Sequence, residues 1–266
     1  MNLETNYCNI NGHTIGYCER YPEIENTLLF IHGNSLSKEI FINQLTSEQF
    51  TNYRLVALDL PGHGGSEWID SYSVNQIVED LVAFCEQLRL LNLILVGHSL
   101  GGHMAIQALT RLKNIKGLVL IGTPPLQLPL NIEEAFNPHP AIPLLFKKEL
   151  NQEETNLFTE AITTIEHQVF VKELISNTDP NFRESLLLSI QEGQMEDEVE
   201  ILNSAEIPVE LIFGEEDVLV NRSYLEDVNL INLYTEQPIF IPESLHSPHM
   251  ENVKVFNSFL LKYSNN

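Results

Sequence analysis

The most constraining feature of the sequence is an apolar run at residues 93–97 that passes directly into Gly-His-Ser-Leu-Gly-Gly at positions 97–102. A continuous apolar run of this length is typical of a strand that is buried on both faces of a parallel sheet. The glycines two residues before and after Ser99 leave room for a tight turn into a helix. We therefore expect a strand–turn–helix unit that presents the Ser99 hydroxyl at the carboxyl edge of a sheet.

Three further apolar runs, at residues 27–32, 53–59 and 115–122, have the same character. After the second of them, Ser73 and Gln76 have the spacing of a capping box, which predicts the start of a helix. The apolar stripe of that helix consists of Val74, Ile77, Val78, Leu81, Cys85 and Leu88. Strands that alternate with helices predict an α/β fold, with a mainly parallel central sheet and helices on both faces.

The pattern changes at residue 124. Prolines recur there, and helical stretches without a strand-like run continue to residue 206. Strand patterns return at residues 209–214 and 238–242, and a last amphipathic helix is predicted over residues 248–263. Its inward-facing residues are expected to be Val253, Phe256, Phe259 and Leu260. We expect one core domain, residues 1–123 and 207–266, into which a helical cap segment, residues 124–206, is inserted.

The charge balance restricts the partners. Lysine and arginine number 14 and aspartate and glutamate 37, which gives a formal net charge of −23. Such a surface repels phosphate backbones and anionic lipid headgroups, so we expect neither nucleic-acid nor membrane partners. No apolar run approaches the roughly 18 residues of a membrane span, and the N-terminus lacks the pattern of a signal peptide. These observations predict a cytoplasmic protein with a small-molecule substrate.

The three cysteines are expected to be reduced. Asn11-Gly12 predicts a two-residue turn between strands at residues 7–10 and 14–18. That turn places Cys8 opposite Ile15, so a disulfide between Cys8 and Cys18 is not expected. The histidines show no spacing typical of a metal site, and we predict neither a metal nor an organic cofactor.

A nucleophilic serine requires hydrogen-bond donors for the oxyanion that forms when a carbonyl is attacked. His-Gly-Asn-Ser at positions 32–35 follows the first buried strand. We expect the donors to be the backbone N–H groups of Asn34 and Leu100. An Asx turn is the alternative, compatible role for Asn34. His32 is interpreted as a structural residue that holds the loop.

The general base and its acidic partner are expected late in the chain, after the serine. His246 follows the predicted strand at 238–242 in a loop, whereas His249 falls at the start of the last helix, so His246 is favoured. The acid is expected after the strand at 209–214, where Asp217 is favoured and Glu216 is the alternative. Together these residues predict a Ser99–His246–Asp217 triad.

These motifs together resemble the α/β-hydrolase superfamily. The resemblance extends along nearly the whole chain except the cap segment. The matching motifs are H-G-N at 32–34, D-L-P-G-H-G-G-S at 59–66, G-H-S-L-G-G at 97–102, G-E-E-D at 214–217 and H-S-P-H-M-E at 246–251. The resemblance implies the nucleophilic role of Ser99, the catalytic role of His246 and the acidic role of Asp217. Leu245 departs from the pattern, because glycine usually precedes the histidine.

Within that superfamily, the first half of the chain is most similar to metal-independent N-acyl homoserine lactone hydrolases, which open the lactone ring by serine chemistry. The matching residues include positions 32–35, 60–64, 99–103 and 122–125. A tyrosine that contacts the ligand in those enzymes corresponds to Phe158 here, so its hydroxyl is missing. We expect the cap segment to supply an apolar pocket above Ser99, with Phe158 and Phe170 in its lining.

The combined expectation is a carboxylic ester or lactone hydrolase that works through an acyl-enzyme. N-acyl homoserine lactones are the narrower substrate hypothesis. A ligand-binding receptor with little turnover is the main alternative from another class. The same triad could also support acyl transfer, perhydrolysis or C–C bond hydrolysis. A dehalogenase is excluded, because it would need aspartate at position 99.

Overall fold

The computed structural model describes residues 3–265. Its strands are β1 (Asn6–Ile10), β2 (His13–Arg20), β3 (Asn26–Ile31), β4 (Arg54–Leu58), β5 (Leu91–His98), β6 (Ile115–Ile121), β7 (Val209–Gly214) and β8 (Ile239–Ile241). Its helices are α1 (Ile42–Leu45), α2 (Val74–Gln87), α3 (Leu100–Ala108), α4 (Ile132–Ala135), α5 (Gln152–Ile162), α6 (Gln168–Ser176), α7 (Pro180–Gln191), α8 (Glu198–Ser204), α9 (Arg222–Asp227), α10 (Pro248–Glu251) and α11 (Val253–Ser264). Short 3-10 turns lie at Lys38–Phe41, Glu48–Phe50 and Ile142–Phe146.

The eight strands form one sheet in the order β1-β2-β4-β3-β5-β6-β7-β8. The pairs β1–β2 and β2–β4 are antiparallel, and every other pair is parallel. The carboxyl ends of β3 to β8 therefore meet at one edge, where loops from distant parts of the chain come together. The predicted α/β-hydrolase architecture, a mainly parallel sheet with helices on both faces, is confirmed.

The central strands are buried on both faces because successive side chains of a strand point in opposite directions. In β3, Leu29 and Ile31 pack with residues of α2 and α3 in one apolar cluster. Leu28 and Phe30 pack on the other face with residues of α11. This double burial explains why the strand patterns read as continuous apolar runs.

Helices α4 to α8 follow β6 and precede β7, so the cap segment is helical as predicted. Its side chains belong to the same two apolar clusters as the sheet: Phe182 packs in the first cluster and Phe158 in the second. The backbone N–H of Asp179 also donates to the Gly62 carbonyl oxygen at 2.9 Å, and the Tyr72 hydroxyl donates to the Asp179 carboxylate at 2.6 Å. The cap segment is thus bonded closely to the loops at the sheet edge. The division into a core domain and an inserted cap stays a prediction.

Two predicted helix details differ. The last helix is divided into α10 and α11 at Asn252, whose side-chain amide donates to the Pro242 carbonyl oxygen at 3.1 Å. The predicted capping box is half formed: the Ser73 hydroxyl accepts from the Gln76 backbone N–H, but the Gln76 side chain donates to Asp80 at 2.9 Å. Asp80, one turn further along α2, has thus replaced the Ser73 backbone as the partner of the Gln76 side chain.

The N-terminal hairpin has the predicted register, in which Cys8 lies opposite Ile15. Cys8, Cys18 and Cys85 are free thiols, as expected. Among residues 3–265, no helix is both long enough and apolar enough to cross a lipid bilayer.

Candidate active site

Ser99 occupies the sharp turn between β5 and α3. Its φ of 51° and ψ of −119° lie outside the regions that L-residues favour, and such a conformation costs about 1–3 kcal/mol. The turn is held by a 2.8 Å hydrogen bond from the Ser99 N–H to the Ile121 carbonyl oxygen. A side chain at Gly97 would come within 2.5 Å of the Gly102 Cα, and one at Gly101 would collide with the β3 backbone. Only glycine at both positions permits this turn.

His246 lies in the loop between β8 and α10 and is 2% exposed. Its Nδ1 is 2.8 Å from the Asp217 Oδ2. The other Asp217 oxygen accepts the backbone N–H groups of Leu219 at 2.8 Å and Val220 at 3.2 Å. Because a carboxylate only accepts, Nδ1 carries a proton, and in the neutral form of the ring Nε2 is then the acceptor. Ser99 and His246 line the same cavity, so the structure brings the three predicted triad residues together.

The two alternative residues have different surroundings. Glu216 is exposed and does not contact His246 through any hydrogen bond in the described part of the chain. His249 is completely buried among the rings of Phe41, His98 and Phe256. Burial lowers the pKa of the His249 ring to about 3. Its ring nitrogens have no hydrogen-bond partner within residues 3–265, so His249 is a core residue here.

The loop at residues 32–35 approaches Ser99 closely. A Cβ at Gly33 would lie 3.2 Å from the Ser99 Cβ and 2.8 Å from the His98 Nδ1, so glycine is needed there. Asn34 and Leu100 both line the cavity. The Asn34 side chain is engaged in the loop: Nδ2 donates to the Leu145 carbonyl oxygen at 2.8 Å, and Oδ1 accepts from the Ser35 hydroxyl at 2.9 Å. These bonds do not form the Asx turn considered for Asn34.

His32 holds this loop, in line with its predicted structural role. Its Nε2 accepts the Leu60 N–H at 2.9 Å, so Nδ1 carries the proton and donates to the Gly33 carbonyl oxygen at 2.8 Å. Desolvation of the fully buried ring lowers its pKa to about 3. The neutral ring therefore connects the loop to the motif at residues 59–66.

Two buried cations near this loop were not predicted from the sequence. The Lys38 ammonium is buried and pairs with the Asp59 carboxylate at 2.7 Å. The Arg183 guanidinium, on α7 of the cap segment, donates to the Ser35 hydroxyl at 2.9 Å and to the carbonyl oxygens of Lys147 and Lys148 at 2.7 and 2.6 Å. Asp59 begins the motif at 59–66, whereas Arg183 and Ser35 lie 148 positions apart in the chain.

The cavity above Ser99 has a volume of about 860 Å³ including its open mouth, and most of its lining is apolar. Phe158 is part of the lining, as predicted. Phe170 is not: it lies half-buried on α6 and packs against the second apolar cluster. The prediction that Phe170 lines the cavity is corrected, because its side chain packs against the second apolar cluster and is not part of the lining.

Comparison with known proteins gives the family. The sequence pattern of the Alpha/beta hydrolase family matches residues 28–257, which include every candidate site residue. The chain belongs to the α/β-hydrolase family. The family match supports an enzyme with hydrolase activity.

Individual relatives agree with this assignment. This α/β-hydrolase is 22% identical over 254 residues to the AB hydrolase superfamily protein YisY of Bacillus subtilis, with 90% of this chain and 91% of YisY covered. A 99-residue stretch, 37% of this chain and 38% of the relative, is 35% identical to 2-succinyl-6-hydroxy-2,4-cyclohexadiene-1-carboxylate synthase of Escherichia coli. The crystal structure of N-acyl homoserine lactonase AidH with N-butanoyl homoserine superposes with a TM-score of 0.91 at 26% identity, covering 98% and 96% of the two chains. The similarity to N-acyl homoserine lactonases is thereby confirmed.

Proposed function

We propose that this α/β-hydrolase is a serine-dependent hydrolase of carboxylic esters and lactones, and that N-acyl homoserine lactones are among its substrates. The observation that carries the proposal is the His246–Asp217 pair, which borders the same apolar cavity as Ser99. The structural similarity to AidH supports the choice of lactone. We also propose a cytoplasmic location, because free thiols are typical of reducing compartments.

In the proposed reaction, the His246 Nε2 takes the Ser99 hydroxyl proton while the Ser99 Oγ bonds to the substrate carbonyl carbon. Asp217 keeps the imidazole in the required tautomer and stabilises the imidazolium that forms. The negative charge on the carbonyl oxygen is stabilised by the backbone N–H groups of Asn34 and Leu100. Leu100 is the first residue of α3, so its N–H has no acceptor within the helix.

The tetrahedral intermediate collapses when the C–O bond to the leaving oxygen breaks and that oxygen receives the proton from His246. In a lactone the leaving oxygen belongs to the ring, so the acyl-enzyme retains the whole substrate. Water, deprotonated by His246, then attacks the acyl carbon and releases Ser99. The net result is addition of one water to an N-acyl homoserine lactone, with the amide bond intact.

The cavity fits such substrates through its apolar lining, which can accommodate an acyl chain. Phe158 lies in this lining, and its side chain has no hydroxyl that could orient a substrate. We therefore expect the orientation of the amide or lactone ring to depend on other polar groups here.

The test is incubation of the purified protein with several N-acyl homoserine lactones and with p-nitrophenyl butyrate, followed by mass spectrometry. The proposal predicts a product heavier by one water, with the acyl chain retained, and no product from Ser99→Ala. Rapid cleavage of the p-nitrophenyl ester without opening of any lactone would contradict the proposal that lactones are substrates, but not the proposed esterase activity. Tight binding of the lactones without turnover of any ester would instead favour the receptor alternative.

A further inference from the structure

A second histidine–carboxylate pair borders the cavity, separate from the proposed triad. His103 lines the cavity, and its Nδ1 lies 3.0 and 2.9 Å from the two Glu198 carboxylate oxygens. Glu198 is completely buried at the start of α8. The pair joins the helix that follows Ser99 to the last helix of the cap segment.

The Glu198 carboxylate is held in one orientation. It accepts the Leu126 backbone N–H at 2.8 Å and the Gln107 side-chain amide at 3.4 Å, in addition to His103. Because a carboxylate only accepts, the His103 Nδ1 carries a proton, and Nε2 is the ring nitrogen left for another partner. Burial of an unpaired carboxylate destabilises a fold by several kcal/mol. Apolar side chains would connect the two helices without this desolvation penalty, so a purely structural contact does not require the pair.

His98 provides the contrast. It also lines the cavity, but its Nε2 is bonded to the His246 carbonyl oxygen at 3.0 Å, and its Nδ1 is sealed from solvent without a partner among the described residues. The His103 side chain is 11% exposed, and no described residue bonds to its Nε2. His103 is therefore the side chain that can offer a hydrogen bond to a ligand in the otherwise apolar wall.

The position of His103 relates it to the reacting carbonyl. It lies four residues after Ser99 on α3, which is about 6 Å along the helix axis. Side chains on a helix lean toward its N-terminus, so the imidazole leans toward the turn that carries Ser99. A polar group two or three bonds from the attacked carbonyl carbon extends over about half of the axial distance between Ser99 and His103. A hydrogen bond of about 2.9 Å then spans the remaining half to the imidazole.

We propose that His103 is a specificity-determining residue, which binds a hydroxyl or amide group on the acyl part of the substrate two or three bonds from the attacked carbonyl. The proposal rests on the ester and lactone hydrolase function proposed above. A hydroxyl or amide group both donates and accepts, so it can bond to the neutral ring or to the imidazolium. In an N-acyl homoserine lactone the amide has this separation from the lactone carbonyl.

The experiment compares p-nitrophenyl 3-hydroxyhexanoate with p-nitrophenyl hexanoate, which differ by one hydroxyl. For the unmodified protein we expect kcat/KM to be about tenfold higher for the hydroxy ester, the value of one ordinary hydrogen bond. Equal values for the two esters would overturn the inference while leaving the esterase function intact. Failure to cleave either ester would contradict the proposed function itself, and the inference would fall with it.

The variants separate recognition from packing. His103→Phe alone would leave Glu198 with fewer donors, so it is combined with Glu198→Gln, and Glu198→Gln alone is the reference. The double variant is expected to lose the tenfold preference, so that its kcat/KM values for the two esters become about equal, whereas Glu198→Gln alone keeps the preference. Met104→Leu, which changes a neighbouring apolar residue of the cavity lining, should change both esters by the same factor.

An equal loss for both esters in the double variant would show that the pair only maintains the structure, and would overturn the inference. Where the double variant does not fold, as judged by its melting curve, His103→Met with Glu198→Gln replaces it, since methionine fills irregular space without a comparable hydrogen bond. For this variant too, loss of the preference for the hydroxy ester supports the inference, and an equal loss for both esters overturns it.

Discussion

His32 and His249 are each completely buried, and burial lowers the pKa of both rings to about 3. Desolvation also places the pKa of His98 well below its usual range. None of these rings can take up a proton near neutral pH without a large cost. His246 differs from them because Asp217 accepts its Nδ1 proton and its ring borders the cavity. At the residue scale, these neighbouring groups support His246 as the proposed general base.

His246→Ala is expected to lower kcat for an ester by about three to six orders of magnitude, because a triad acts as a unit. His249→Leu should retain kcat within about tenfold, since leucine can fill the apolar site between Phe41 and Phe256. Steady-state kinetics on p-nitrophenyl butyrate measures both. A larger loss in the His249 variant, with its fold intact by circular dichroism, would refute the assignment of the base.

Asp217→Asn is expected to lower kcat by about 10⁴-fold, because an amide in this position favours the wrong imidazole tautomer. Glu216 is the preceding residue in the chain, and its side chain is exposed. Glu216→Gln removes its charge and should leave kcat nearly unchanged. The same assay compares the two variants. If the Glu216 variant lost activity and the Asp217 variant kept it, the acid would have to be reassigned.

At the scale of elements, the sequence predicts those strands and turns whose conformation depends on residues close to one another in the chain. The buried strands were recognisable from apolar runs, and the Ser99 turn from its flanking glycines, because both depend on neighbours in the chain. The contact between Arg183 and Ser35 spans 148 positions and has no local signature. Phe170 was misplaced for a related reason: a phenylalanine on an amphipathic helix does not reveal which apolar surface it will cover.

Arg183→Met is expected to lower kcat by about 10- to 100-fold, because Ser35 then loses the bond that ties the loop at residues 32–35 to α7. It should also destabilise the fold by about 1–3 kcal/mol, since the Ser35 hydroxyl and the carbonyl oxygens of Lys147 and Lys148 lose their donor. Lys148→Met, at a half-exposed cation of the same segment, is the matched control. Loss of stability with unchanged kcat in the folded Arg183 variant would show that the bond does not position the loop.

At the scale of the whole molecule, the cap segment and the sheet share their apolar clusters, so the cavity depends on both. Composition indicated the cap segment through its prolines and its lack of strands, but could not show which side chains face Ser99. The pair formed by His103 and Glu198 arises only when α3 and α8 pack together. Two residues 95 positions apart cannot be paired from a single sequence.

The buried histidines also predict how the free energy of unfolding depends on pH. The pKa of His249 is about 3 in the folded protein, compared with about 6.5 for an exposed histidine in the unfolded chain. Between pH 3 and 6.5 the unfolded chain therefore binds more protons than the folded protein. Its contribution therefore lowers stability as the pH falls from about 6.5 to 3, by up to about 1.4 kcal/mol per pH unit.

Urea denaturation of the unmodified protein and of His249→Leu at several pH values between 6 and 4 measures this contribution. The variant should show a slope that is smaller by about 1.4 kcal/mol per pH unit, whereas Met250→Leu, which removes no titratable group, should show the original slope. Parallel pH dependences for all three proteins would mean that His249 is not held neutral by burial.

Labelling with a fluorophosphonate, followed by mapping of the modified peptide by mass spectrometry, tests whether Ser99 is a nucleophile activated by His246. Only a hydroxyl activated by a base reacts rapidly with this reagent. We expect a single adduct on the peptide that contains Ser99, its absence in Ser99→Ala, and a much slower reaction in His246→Ala. An adduct on another serine, or no adduct on the folded protein, would contradict this role of Ser99.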